Sequence, residues 1–185
     1  MASRSWSDRS VAVIASGPSL AAPDCETICQ SGIPTIAVNS SWKAARFAEA
    51  VYAGDMAWWD EYGSEIDIDA ERVTCMKSAA RKHGLTLHGP HGQVLNSGMR
   101  AIQFAIARGA KQIILLGFDC SIERGTHWHG DHERTKNPTS QRVRGWHAQF
   151  AAVAAEAKAR KVQVINCSRE TALTCFPRME LRDAT

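Results

Sequence analysis

Short apolar runs, several of them β-branched, alternate with longer segments of mixed polarity along this chain. The strongest runs cover residues 11–15, 35–38 and 112–116, and weaker ones cover 50–53, 72–76 and 162–165. Strands that are apolar at almost every position are typical of a parallel sheet covered on both faces, because neither face of the strand meets water. The pattern therefore predicts several buried parallel strands.

Between these runs the sequence predicts helices. Residues 24–30 and 56–62 have helical character, Asn96-Ser97 can cap a helix over 98–108, and Thr139-Ser140 can cap a long helix that ends near 160. Residues 83–95 are rich in Gly and His and predict a loop. The alternation predicts an α/β fold, a Rossmann-like domain with a mostly parallel sheet and helices on both faces, spanning residues 1–185 as a single domain. We expect residues 1–9 and 178–185 to be flexible ends.

In such a sheet, ligands bind beyond the carboxyl ends of the strands. The residues predicted there are Gly17-Pro18-Ser19, Asn39-Ser40, Gly54-Asp55, Gly117-Phe118-Asp119 and Asn166. The turn after the first strand suits either a tight turn or a phosphate-binding loop, because glycine lets a ligand approach the backbone. It matches neither G-x-G-x-x-G nor G-x-x-x-x-G-K-[ST], which argues against dinucleotide oxidoreductases and P-loop kinases.

Composition narrows the class of protein only slightly. The chain has 185 residues, 44% of them hydrophobic, and a formal net charge of +3, so it can bury a core and is not marked as disordered. The first ten residues carry no apolar signal core, and no apolar run approaches the roughly 20 residues of a membrane span. We expect a cytoplasmic protein with no membrane partner and six reduced cysteines.

The main group of candidate catalytic and metal-binding side chains lies in a predicted functional loop over residues 119–138. It contains His127-Trp128-His129-Gly130-Asp131-His132, spelled H-x-H-x-D-H, the metal-binding signature of the metallo-β-lactamase superfamily. His127, His129, Asp131 and His132 are candidate ligands of a divalent metal such as Zn, Mn or Mg. The same residues are the catalytic candidates, since histidine titrates closest to neutral pH. A solvated loop whose histidines only form hydrogen bonds is the alternative.

Two observations argue against membership of that superfamily. Its further His and Asp ligands come from downstream strands. Here the only later histidine is His147, on a predicted helix, and the only later aspartate is Asp183. Its fold is an antiparallel αββα sandwich, and the order of elements predicted here is different. Metal binding by these histidines within another fold stays open.

Other groups of residues have both a structural and a functional interpretation. Trp58 and Trp59 could stack on a base, but paired tryptophans usually pack in a core. His88 and His91 flank Gly89-Pro90 in a loop that could close over a ligand. A basic group, Arg134, Lys136, Arg142 and Arg144, could meet phosphates of a donor or of nucleic acid, or could be a solvated helix start.

Taken in order, four motifs resemble a known group of proteins. Gly-Pro-Ser-Leu after the first strand, Asn39 after the second, Asn96-Ser97-Gly98 at a helix start and Leu116-Gly117-Phe118-Asp119 resemble the bacterial sialyltransferases of glycosyltransferase family 42. They equally resemble the domain of flagellin-modifying motility accessory factors and an archaeal hydroxymethylpterin pyrophosphokinase. The chain also resembles a group of small phage and prophage proteins of uncertain function that share Gly-Pro-Ser-Leu and the His-Trp-His-Gly-Asp-His loop.

This resemblance implies a nucleotide or nucleotide-sugar partner. The implied nucleotide-binding residues are Gly17, Pro18, Ser19, Asn39, Ser97, Gly98 and Asp119. A nucleotide-binding, glycosyltransferase-like transferase is the first hypothesis, with nucleic acid as one conceivable acceptor and no certain cofactor. A metal-dependent hydrolase of phosphoesters or nucleotides is the second. The third is a non-catalytic phage protein that sequesters a nucleotide in the host cytoplasm.

Overall fold

The computed structural model describes residues 5–89 and 96–185, and within them seven strands form one parallel sheet. In chain order the strands are β1 (Ser10–Ile14), β2 (Thr35–Val38), β3 (Ala50–Tyr52), β4 (Glu71–Thr74), β5 (Thr86–Leu87), β6 (Gln112–Leu116) and β7 (Gln163–Asn166). Every pairing between neighbours is parallel. The sheet is thus wholly parallel, slightly beyond the mostly parallel sheet that the pattern predicts.

The strand order across the sheet is β5-β4-β3-β2-β1-β6-β7. Strand β1 is an interior strand, in which Val13 is paired with Ile36 of β2 on one side and with Leu115 of β6 on the other. The chain moves outward from β1 to β5 and then returns to place β6 on the opposite side of β1. This reversal is a topological switch point, and it opens a crevice between the carboxyl ends of β1 and β6.

Helices cover both faces of the sheet. They are α1 (Ala22–Ser31), α2 (Met56–Tyr62), α3 (Lys77–His83), α4 (Ser97–Ala107), α5 (Ser140–Ala159) and the short α6 (Leu181–Ala184), with 3₁₀ turns at Asn39–Lys43 and Gly63–Glu65. Side chains of α4 and α5 pack with one face of the strands, and those of α1, α2 and α3 pack with the other. The predicted Rossmann-like α/β fold is confirmed by this arrangement.

The loop predicted over residues 83–95 is wrong in part. Helix α3 reaches His83 and strand β5 occupies Thr86–Leu87, while residues 90–95 lie outside the described part of the chain. Helix α3 buries only Ala79, and both residues of β5 are exposed. Both elements lie at the outer side of the sheet, where β5 is the last strand. Their sequences therefore show no periodic apolar pattern from which they could be predicted.

The described residues of the two predicted flexible ends take part in the packing. Trp6 is 1% exposed, and its backbone N–H donates to the carbonyl of Arg108. At the other end, Arg178 donates to the Ser168 carbonyl, and the carbonyl of Ala184 accepts from the Gln112 side chain at 2.9 Å. Residues 1–4 lie outside the described part of the chain.

All six cysteines lie in the described residues, and none of them is paired in a disulfide. Cys25 is buried in the core and Cys29 is exposed. Within the described residues, no helix has the length and apolar content needed to cross a membrane.

Candidate functional site

A cavity of about 1020 Å³ opens at the carboxyl edge of the sheet, where β1, β2, β3 and β6 end. Five of the seven residues that the resemblance assigns to nucleotide binding line it: Gly17, Asn39, Ser97, Gly98 and Asp119. They come from four segments that are distant in the sequence. Pro18 and Ser19 are not part of the wall, so the structure brings together most of the predicted set but not all of it.

Gly17 lies where the loops after β1 and β6 touch. Its N–H donates to the carbonyl of Gly117 at 2.8 Å. A Cβ at position 17 would lie 2.1 Å from Oδ1 of Asp119 and 2.5 Å from the Gly117 carbonyl oxygen. The chain's own packing therefore requires glycine at position 17.

Asp119 fastens the same two loops together. Its Oδ2 accepts from the backbone N–H of Ser19 at 2.9 Å, and its Oδ1 accepts from the Ser19 hydroxyl at 2.8 Å. Burial raises the pKa of the Asp119 carboxyl, and the two hydrogen bonds from Ser19 oppose that rise. Ser19 thus contributes by holding Asp119 in the wall, which explains why Ser19 itself does not face the cavity.

Asn39 follows β2 and has an unusual backbone. Its φ is 51°, a left-handed conformation that asparagine tolerates better than most residues. Its side-chain Oδ1 is buried and has no hydrogen-bond partner within the described residues. A buried acceptor without a partner is costly, so a group that donates a hydrogen bond here would satisfy it.

The start of α4 forms the next part of the wall. Oδ1 of Asn96 caps the helix by accepting from the N–H of Met99 at 3.1 Å, as the sequence predicted. The Ser97 hydroxyl accepts from the N–H of Gly54 at 3.0 Å, which ties α4 to the end of β3. A Cβ on Gly98 would lie 2.9 Å from the ring of Phe118, so glycine permits close approach of α4 to the loop after β6.

Charged residues complete the cavity wall. Asp55 follows β3 and is half-buried, and burial raises the pKa of its carboxyl while the charge of Arg142 opposes the rise. From the basic group, Arg134, Lys136 and Arg142 line the cavity, and Arg144 does not. The sequence predicted Asp55 at this edge but assigned it no role. Its position directly after a strand is the feature of the sequence that points to the site.

Three histidines of the functional loop converge beside the cavity. One ring nitrogen from each of His127, His129 and His132 lies within 4.8 Å of the others. The rings of His127 and His129 are stacked at 5.2 Å, and Nδ1 of His127 is hydrogen-bonded to the Ser16 hydroxyl at 2.9 Å. Asp131, predicted to act with them, is exposed and instead accepts a hydrogen bond from Thr126.

The three imidazoles share an environment that favours the neutral form. Burial, followed by the proximity of His132 and His129, lowers the pKa of His127 to about 4. Burial is also the main cause of the lowered pKa of His129, with Lys43 adding to it, and of His132, with His129 adding to it. All three rings thus present uncharged nitrogen atoms at neutral pH.

Some predicted candidates have structural roles. Trp58 and Trp59 are buried in the core, and Nε1 of Trp59 donates to the Ala53 carbonyl at 2.9 Å, although Trp58 also borders the cavity. Asn166 lies at the end of β7, where its side chain bonds Ser168 and Thr171 and does not line the cavity. His88 contacts Tyr52, and His91 lies outside the described residues.

Comparisons with known proteins identify no family. No family model matches the chain, and no curated protein matches it. Among solved structures, the chain is similar to a UDP-glucose 4-epimerase at 13% identity and a TM-score of 0.36, with 84% of this chain and 50% of that chain covered. It is also similar to an apo short-chain oxidoreductase with an atypical catalytic centre from Pseudomonas aeruginosa PAO1, at 14% identity and a TM-score of 0.31, with 85% and 68% covered.

The chain spans about half the length of that epimerase. At such low identity and TM-score, these two similarities do not indicate a function. The assignment of a Rossmann-like fold rests instead on the parallel strand order and on the two helical layers.

Proposed function

We propose that this chain is a nucleotide-binding transferase of the glycosyltransferase-like kind, which holds a nucleotide-activated donor at the carboxyl edge of its sheet. The observation that carries the proposal is the convergence of Gly17, Asn39, Ser97–Gly98 and Asp119 on one cavity at the switch point between β1 and β6. That position is where open parallel sheets bind their ligands.

The size and polarity of the cavity suit such a donor. Ligand pockets commonly measure about 300–1,000 Å³, so a cavity of about 1020 Å³ has room for a nucleotide with an attached sugar. The buried Oδ1 of Asn39 offers an acceptor for a ribose hydroxyl or a base amino group. Lys136 and Arg142 offer cations for the phosphates on the side formed by the functional loop and α5. Arg134 also lines the cavity, but its guanidinium is paired with Glu65 and donates to the Glu61 carbonyl.

The histidine loop supports the transferase hypothesis more than an unrelated role, because His127 and His132 line the same cavity. A group transferred from the donor would leave beside them. His129 and Asp131 do not line the cavity, so they are weaker candidates for contact with a substrate. A metallo-β-lactamase-type hydrolase is not supported, because the sheet is wholly parallel.

The test is direct measurement of binding and turnover. Calorimetric titration with a panel of nucleoside mono- and diphosphates and nucleotide sugars is expected to give a stoichiometric complex with at least one member. Asn39→Gly keeps the left-handed backbone accessible while removing the amide, so affinity should fall at least about tenfold. Lys161→Gly, at another left-handed residue remote from the cavity, is the matched control and should bind like the wild type.

Absence of binding across the panel, or equal binding by Asn39→Gly and the wild type, would contradict the proposal. Chromatographic detection of free nucleotide released from a bound nucleotide sugar tests the transferase step. Tight binding without any release in the presence of candidate acceptors would favour the sequestering protein over the enzyme.

A further inference from the structure

We infer that His127, His129 and His132 form a metal site of three imidazole ligands on the wall of the cavity, suited to zinc and with a coordination position left for a further ligand. One ring nitrogen from each residue lies within 4.8 Å of the other two. Zn–N bonds of about 2.0–2.1 Å in a tetrahedral site place the three nitrogens about 3.3 Å apart. A small inward movement of the loop completes that geometry.

The hydrogen bonds around the histidines leave nitrogen atoms free for an ion. Nε2 of His127 and Nε2 of His129 are both buried and have no hydrogen-bond partner within the described residues. Buried polar atoms in folded proteins are normally satisfied, so these two ring nitrogens indicate a missing partner. In the tautomer that carries its proton on Nδ1, each Nε2 has a free lone pair for a cation. A divalent cation shared between them supplies what both atoms lack.

Neighbouring groups hold the ligands in place. The Ser16 hydroxyl lies 2.9 Å from Nδ1 of His127, on the opposite side of the ring from Nε2, which orients that imidazole as outer partners do in metal sites. The backbone N–H of His132 donates to the Asn137 side chain at 2.8 Å, and the His132 carbonyl accepts from the same side chain at 3.1 Å. Lys43 is the nearby cation, and its ammonium is paired with Glu65 at 3.0 Å.

The donor set selects the kind of metal. Mg²⁺ and Mn²⁺ prefer carboxylate and other oxygen ligands, whereas neutral imidazole suits zinc, cobalt and nickel. Asp131, the carboxylate in the sequence motif, is hydrogen-bonded to Thr126 and is not one of the three converging residues. Because His127 and His132 line the cavity, an ion held here borders the space in which a phosphate oxygen or a water molecule could occupy the remaining position.

The experiment uses the full chain without a histidine tag. After loading with ZnCl₂ and gel filtration, elemental analysis is expected to find one zinc per chain, and millimolar MgCl₂ should not displace it. His129→Gln, which removes a ligand without altering the cavity wall, should weaken zinc affinity at least about a hundredfold in competition with a chromophoric chelator. Ser16→Ala should weaken it by about ten- to a hundredfold.

Two matched variants serve as controls. His147→Gln removes a histidine of α5 outside the group, and Asp131→Asn removes the motif carboxylate; both should retain one zinc with wild-type affinity. A CoCl₂-loaded wild type should show the visible absorption of a four- or five-coordinate ion with nitrogen ligands. Zinc well below one per chain in the wild type would overturn the inference, whether or not His129→Gln folds. Equal zinc affinity of His129→Gln and His147→Gln would overturn it too, and loss of zinc in Asp131→Asn would refute the imidazole-only ligand set.

The inference is independent of the proposed function. Calorimetry with nucleotides in the presence of a metal chelator measures donor binding alone, and zinc analysis without nucleotide measures the metal site alone. Either result can therefore fail without deciding the other.

Discussion

At the scale of single residues, the site depends on close approach between loops that are far apart in sequence. Asp119 is joined to Ser19 by two hydrogen bonds across 100 positions of the chain. Gly17 and Gly117 lie in the same contact, and a Cβ on Gly117 would lie 2.4 Å from the Ala15 carbonyl oxygen. Glycine at both positions allows the carboxyl ends of β1 and β6 to touch.

Gly17→Ala tests this packing. The added Cβ would lie 2.1 Å from Oδ1 of Asp119, so the loops must separate, and we expect a loss of at least about 2 kcal/mol in the free energy of unfolding. Gly145→Ala is the control. Gly145 lies within α5, and a Cβ there would have no atom within 4 Å. It should stabilise the protein by about 0.5–1 kcal/mol. Urea denaturation measures both, and equal stability of the two variants would refute the packing argument.

The pKa of Asp119 gives a prediction about pH. Burial raises this pKa in the folded state above its unfolded value, so the folded chain holds the proton more tightly. The stability supplied by the protonated group is fully present below the unfolded pKa of about 3.9 and is lost as pH rises through the folded pKa. The free energy of unfolding of the wild type minus that of Asp119→Asn should therefore decrease as pH rises across that window.

Urea denaturation of both proteins at closely spaced pH values gives this difference directly. Subtraction removes the contribution of Asp55, whose pKa is also raised, and of the exposed carboxyls. A difference that grows with rising pH would mean that the Ser19 hydrogen bonds outweigh burial at Asp119.

At the scale of elements, the central strands could be predicted and the edge elements could not. Strands β1, β2 and β6 are buried almost throughout, so their apolar runs identify them. Strand β5 has two exposed residues and α3 buries one alanine, so neither leaves a periodic signal. Proximity to the edge of the sheet, rather than weak propensity, explains why these two elements are missing from the prediction.

The same distinction holds for the site. Position along the chain was enough to predict that Gly17, Asn39 and Asp119 meet, since residues that follow parallel strands share one edge of the sheet. It could not show that Ser19 turns toward Asp119 instead of the cavity, because that depends on a contact between distant loops. It could not separate Asp131 from the three histidines either, because spacing does not give side-chain direction.

The amino end of α4 connects element stability to the cavity. Asn96→Ala removes the acceptor for the N–H of Met99 and should cost about 1 kcal/mol in the free energy of unfolding. Asn96→Asp retains an acceptor and adds a favourable charge at the helix start, so its stability should match or exceed that of the wild type. Thermal denaturation followed by circular dichroism compares the two variants. Equal losses of stability in both variants would show that the side-chain NH₂ group of Asn96 matters, rather than its Oδ1.

At the scale of the whole molecule, the strand order gives the two ends of the sheet different roles. The carboxyl edge carries the large cavity, the histidine loop and the close contact between the loops after β1 and β6. The amino edge has a smaller pocket of about 280 Å³, lined by residues such as Asp8, Gly109, Lys111 and Lys161. A ligand at the switch point should stabilise only the first of these edges.

Hydrogen exchange measured by mass spectrometry tests this asymmetry. A bound nucleotide should slow amide exchange in peptides that cover residues 15–20, 39–43 and 117–138, because these segments surround the cavity or border it. Peptides that cover 108–111 and 160–162, at the amino edge, should exchange at the same rate with and without nucleotide. Asn39→Gly exposed to the same nucleotide concentration should show weaker protection at the carboxyl edge. Protection confined to the amino edge would locate the nucleotide in the smaller pocket, where the basic side chains of Lys111, Arg160 and Lys161 would be the groups that attract its phosphates.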